Sequence, residues 1–115
     1  MQHDLKTWAD KSCRELKPGT PPMSESEVAH SLRVFPGWAS VGDAIEKEFR
    51  FKDFKGTMKF VNAVAEVAEA QDHHPDLSVS FGSCRVKYST HSVGGISEND
   101  VISAAKIEII SAAGA

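Results

Sequence analysis

The 115-residue chain is poor in most of the features that mark specialised protein classes. It has only two cysteines, Cys13 and Cys84, too far apart to form a CxxC pair. Neither a zinc knuckle nor a disulfide framework is therefore expected, and free thiols in a reducing compartment are the simpler reading. No apolar run approaches the roughly 20 residues needed to span a bilayer, so no membrane partner is expected. Positive charge is not in excess: 13 Lys and Arg stand against 16 Asp and Glu, a net charge of −3. That argues against a nucleic-acid partner, which calls for a basic stripe. The N-terminal stretch has no apolar h-region and carries Asp4, Asp10 and Glu15, unlike a secretory signal or a transit peptide. A cytoplasmic location is expected, with an organellar address left open because a trimmed peptide leaves no trace. No G-x-S-x-G elbow is present for Ser-His-Asp acyl chemistry, and no solenoid-type repeat recurs.

What remains is ordinary globular composition, 41% hydrophobic and 25% charged, with one unusual entry: five histidines against a single tyrosine. The length suits one domain, and a chain of this size buries roughly 65% of its unfolded surface without disulfide staples.

Residues 1–22 read as an extended leader and residues 23–115 as the folded domain. A short amphipathic helix is possible around Leu5, Trp8 and Leu16, but three prolines and a glycine between Pro18 and Pro22 separate it from the folded domain. Ser24-Glu-Ser-Glu27 is a capping box for a helix to about Leu32, with Val28, Ala29 and Leu32 inward. A short strand is expected near Trp38. Ala44 to Lys52 alternates as a half-buried strand: Ile45, Phe49 and Phe51 face one side, Glu46, Glu48, Arg50 and Lys52 the other, with Lys47 the exception. Asp53 caps a long helix whose core stripe is Phe54, Met58, Val61, Ala65 and Ala68, widened by Phe60, Val64 and Val67. Pro75 stops it. Strand material comes next, with Val79 and Phe81 on one side and then Cys84, Val86, Tyr88 and Thr90 alternating with polar neighbours. Ser97-Glu-Asn-Asp100 caps a last helix with Val101, Ile102, Ala105 and Ile109 inward, and residues 111–115 are expected to fray. The class is α+β: an antiparallel sheet with one open face and helices on the other.

Chemistry concentrates where the long helix ends, at Glu69-Ala-Gln-Asp72-His73-His74-Pro75. A helix C-terminus and nearby carboxylates both favour a protonated imidazole, which suits proton exchange near neutral pH. His91 lies 17 residues after His74, at the end of a strand, so helix end and strand end can meet at one rim of the sheet. The glycines after His91 keep that rim open, and Asp100 lies just beyond. Plainer roles exist: a histidine pair can simply cap helix carbonyls, and His3 and His30 read as incidental surface residues. Zinc at His73, His74 and His91 is disfavoured, because adjacent helical residues diverge by roughly 100°.

Asp72-His-His-Pro75, Thr90-His91 and Gly94-Gly95-Ile-Ser-Glu-Asn-Asp100, with Phe49-Arg-Phe-Lys-Asp-Phe54 and Trp38 upstream, resemble the signature of the pterin-4a-carbinolamine dehydratases over about residues 20–110. The resemblance implies a four-stranded antiparallel sheet with helices packed on one face, in a homodimer or homotetramer. It implies dehydration of a 4a-hydroxytetrahydropterin to quinonoid dihydropterin and water, without metal or cofactor. His73, His74 and His91 carry over as the active-site histidines. Glu69, Asp72 and Asp100 carry over as acidic positions around the cleft, and Trp38, Pro75 and Thr90 as wall positions. Leu77 stands where many members carry an aromatic residue. A rival expectation is a non-enzymatic one, a dimerisation or assembly partner that binds another protein through the open sheet face or an exposed helix.

Overall fold

The structure, a computed structural model, describes residues 4–114. In chain order these form α1 (Leu5–Ala9), α2 (Glu25–Leu32), β1 (Ala39–Val41), β2 (Ala44–Arg50), α3 (Phe54–Gln71), β3 (Asp76–Ser80), β4 (Ser83–Tyr88), a 3₁₀ turn (His91–Val93) and α4 (Glu98–Ala112). The four strands make one antiparallel sheet in the order β1-β2-β4-β3. The expected α+β class holds.

Alternation sets the two faces of the sheet. Cys84, Val86 and Tyr88 of β4 and Ile45 and Phe49 of β2 are buried beneath α3 and α4. On the opposite face Glu46 lies across from Lys87 and Glu48 from Arg85, and the Arg85 guanidinium donates to both carboxylates at 3.1 Å. Such exposed pairs add at most ~1 kcal/mol each, so the buried face carries the stability. Lys47, the residue that breaks the alternation, does lie on the inner side. Its ammonium sits 4.7 Å from the Phe49 ring centroid and 2.5 Å from the Glu108 carboxylate, which also accepts the Trp38 indole N–H at 2.8 Å. The charge is inside because a partner on α4 meets it there.

Both capping boxes form, at Ser24/Glu27 and Ser97/Asp100, and Asp53 caps α3 by accepting from the Gly56 N–H at 2.8 Å. The inner line of α3 differs from the expected one. It runs Thr57, Phe60, Val64, Ala68, while Phe54 is 49% exposed and Ala65 lies outside. The polar Thr57 hides this line. Its hydroxyl is buried, but it hydrogen-bonds the carbonyls of Asp53 (3.0 Å) and Phe81 (2.8 Å), tying the helix to the β3–β4 turn.

Smaller expectations are also corrected. Ala29 of α2 and Ile109 of α4 face outward, and Ile107 takes the buried place expected for Ile109. Ser111 and Ala112 remain helical, the helix ending only at Ala113 and Gly114, while Ala115 lies outside the described residues. Phe81 is in the turn after β3, and Val79, though opposite Cys84, stays exposed because β3 is an edge strand.

From Asn99 to Ala105, α4 is buried on every side, as befits a helix enclosed by the sheet, α3 and α1. α1 is too short to persist alone. Trp8 buries against the core, and Lys106 of α4 donates to the Ala9 carbonyl at 2.7 Å. No helix among the described residues is long and apolar enough to cross a membrane.

Candidate active site

α3 is capped at its C-terminus by Asp72, the one non-glycine residue in the left-handed region among those described (φ 51°, ψ 42°). Aspartate tolerates this conformation better than most residues, and it reverses the chain at once. The His73 N–H then returns to the Ala68 carbonyl at 3.2 Å. The turn directs His73 inward, where its ring stacks on Tyr88 (centroids 5.3 Å apart, planes at 18°). Its Nε2 lies 2.6 Å from Asp100 Oδ1.

Asp100 is completely buried, yet fully served. Its Oδ2 accepts the Ser97 backbone N–H at 2.9 Å, closing the capping box, and the Thr90 hydroxyl at 2.8 Å. Ser97 and Thr90 hydroxyls are themselves 2.7 Å apart. A buried carboxylate needs such donors to stand in for water. With Asp100 ionised it can only accept, so His73 donates from Nε2 and Nδ1 remains for proton exchange.

The other two histidines stand at the same rim but more openly. His74 points to solvent, with Nε2 2.5 Å from Glu69 Oε2. His91 is exposed at the start of the 3₁₀ turn, directly after Thr90. Thr90 and Gly95 pair through their backbones (2.8 and 3.4 Å), which closes the loop from His91 to Gly94. Gly94 has φ 71°, and a Cβ at Gly95 would come within 3.0 Å of the Pro22 ring, so this loop requires both glycines.

A cleft of about 480 Å³ opens beside the His73–Asp100 pair, within the ~300–1,000 Å³ typical of small-molecule sites. One side is formed by Gln71, Asp72, His73, Thr90, Ser92 and Asn99, the other by residues 13–16. Of the residues singled out in the sequence, His73, Asp72, Thr90 and Asp100 thus converge here, with Pro75 and the Glu69–His74 pair on the same turn and His91 one residue from Thr90. Trp38 does not join them within one subunit. It is buried against Phe49, with its indole on Glu108, two helical turns along α4 from Asp100. His30 is exposed on α2, and His3 lies outside the described residues.

Sequence reasoning missed Tyr88, Asn99 and the segment 13–16. Tyr88 carried a usable signal, since it lies two residues before Thr90 on one strand face. Residues 13–16 carried none, because their contacts are long-range.

Residues 21–110 match the model of the pterin 4 alpha carbinolamine dehydratase family. The chain belongs to this family. A relative from Nitrosospira multiformis, provisionally named pterin-4-alpha-carbinolamine dehydratase, is 46% identical over 110 residues, covering 96% of this chain and 97% of its own. A crystal structure described as a transcriptional coactivator/pterin dehydratase from Brucella melitensis is 36% identical, with a TM-score of 0.74 over 77% of this chain and 97% of its own. A pterin dehydratase-like protein identified as a RuBisCO assembly factor in the alpha-carboxysome shares the fold at 19% identity, TM-score 0.54, over 64% of this chain and 86% of its own. The stretch matched by the dehydratase family holds all nine expected site residues and leaves out residues 13–16.

Proposed function

We propose that the chain is a 4a-hydroxytetrahydropterin dehydratase, a cytoplasmic hydro-lyase acting in tetrahydropterin recycling by histidine acid–base catalysis. The observation that carries this reading is the His73–Asp100 pair, buried at one end and open to a ligand-sized cleft at the other. The reaction must deliver one proton to the departing 4a-hydroxyl, which leaves as water, and remove the proton on N5. The N5 electrons then form the C4a=N5 bond. Nothing is oxidised or reduced overall, so two imidazoles suffice, each contributing roughly 10²–10⁴-fold. His73 and His91 are the exchanging pair in this scheme. Asp100 positions His73 and fixes its tautomer. His74, held by Glu69, binds and polarises the pterin, and Asp72, Pro75 and Thr90 shape the wall.

Initial rates of dehydration with purified variants test it. His73→Ala and His91→Ala should each lower kcat by about 10²–10⁴-fold, whereas His74→Ala should mainly raise KM. Full activity in all three variants would overturn the reading.

A second role in protein association is favoured by β3, an edge strand that carries the exposed Val79 and runs directly into the exposed Phe81. On this reading the chain forms a homodimer or homotetramer, or docks on another protein. Sedimentation of Phe81→Asp beside the unaltered chain tests it: an unchanged mass would remove the edge from consideration.

A further inference from the structure

We propose that residues 13–16 are a fixed wall of the pterin cleft, clamped there by Asn99, and that they act in substrate binding rather than in proton transfer. The inference rests on the dehydratase reading above and extends it to a segment outside the matched residues 21–110.

The segment is held like an added strand, although it is not one. Asn99, in the first turn of α4, serves both backbone groups of one residue: its Oδ1 accepts the Arg14 N–H at 3.1 Å and its Nδ2 donates to the Arg14 carbonyl at 2.7 Å. One residue earlier, the Cys13 N–H donates to Gln71 Oε1 at 2.7 Å and its thiol to the Asn99 carbonyl at 3.4 Å. Gln71 is the last residue of α3 and lies two before His73. The clamp therefore ties residues 13 and 14 to the same helix ends that carry the His73–Asp100 pair. Asn99 is 6% exposed, so its amide groups are held between the strap and α4 rather than hydrated.

Apart from the Cys13 thiol, these bonds use backbone atoms of the segment, so the side chains of Arg14, Glu15 and Leu16, residues that line the cleft together with His73, are not spent on the clamp. Arg14 is the only Lys or Arg among the described residues lining it. A planar guanidinium presents a fork of donors to carbonyl or hydroxyl oxygens, as a pterin ring and its hydroxylated substituent offer, and can also stack on a flat ring. The strap touches neither Asp100 nor the imidazole nitrogens by any hydrogen bond among those described, so its effect should fall on KM and not on kcat.

Trypsin supplies a readout independent of activity, because the Arg14–Glu15 bond lies in the strap. Biopterin serves as the probe. In the full chain, biopterin that saturates the cleft by fluorescence titration should slow cleavage after Arg14. Asn99→Ala should speed that cleavage and raise KM about tenfold, with kcat within about twofold. Arg14→Ala, which leaves the backbone clamp intact, should raise KM without changing the circular dichroism spectrum, and serves if Asn99→Ala does not fold. Biopterin binding that leaves cleavage after Arg14 unchanged, or an unaltered KM in Arg14→Ala, would overturn the strap proposal and leave the dehydratase reading standing. An unaltered chain that neither binds biopterin nor dehydrates the carbinolamine would overturn both.

Discussion

Asp100 accepts three donors at once, from His73, Thr90 and Ser97. Asparagine in its place can still accept from two of them, but must turn its NH₂ toward His73 and reverse the histidine tautomer. Asp100→Asn should therefore keep the fold, by circular dichroism, and lower kcat about 10²–10³-fold. Asp100→Ala leaves the Ser97 N–H and the His73 Nε2 unserved, while the Thr90 hydroxyl keeps Ser97, and should cost about 3 kcal/mol in urea unfolding. The Lys47–Glu108–Trp38 cluster has a different balance. Glu108→Ala leaves both a half-buried ammonium and an indole N–H unserved, at a cost of about 2 kcal/mol, whereas Lys47→Met leaves Trp38 its acceptor and should cost under about 1 kcal/mol. If the two variants unfold at the same urea concentration, the carboxylate is not the centre of the cluster.

Among the elements, the capping boxes are the parts most directly legible, because their partners lie three residues apart. They are not equivalent. Ser24→Ala should cost about 1 kcal/mol, a typical exposed cap. Ser97→Ala should cost more, since its hydroxyl also meets Thr90 at 2.7 Å in the interior; equal unfolding midpoints for the two would contradict this. The N–H and hydroxyl of Ser24 hold Glu27 below the usual carboxylate range, so its contribution is present above pH ~4.5 and is lost as pH falls through its lowered value. The inner line of α3 was not legible, because Thr57 is polar and its acceptor on Phe81 is 24 residues away. Nor was the exposure of Val79, since hydrophobic alternation marks a strand without saying whether it lies at an edge. The site was half legible. Asp72 to Pro75, Thr90, His91 and Asp100 belong to compact local patterns, but nothing local pairs Asp100 with His73, and nothing near Cys13 indicates that Asn99 holds the next residue.

Two thiols and a phenol among the described residues, Cys13, Cys84 and Tyr88, are partly or fully buried, and all three shift the same way. Burial pushes the thiols of Cys13 and Cys84 above 9.0 and raises the Tyr88 phenol strongly. In each case the unfolded chain gives up its proton first as pH rises. Stability is therefore full below pH ~9 and falls as pH climbs through the folded values, so thermal midpoints should drop steeply on the alkaline side. At pH 8 a disulfide reagent should modify half-buried Cys13 slowly and Cys84 only on unfolding; rapid modification of Cys84 in the native protein would contradict its burial. The Asp100 carboxylate caps α4, holds Thr90 beside the loop that bears His91 and meets His73, so on the dehydratase reading its removal should injure stability and turnover together. A compensating substitution elsewhere can restore the folded population, but not the tautomer. Under mutation the position should accept no replacement that a stability screen alone would pass, and variants rescued for abundance should remain slow.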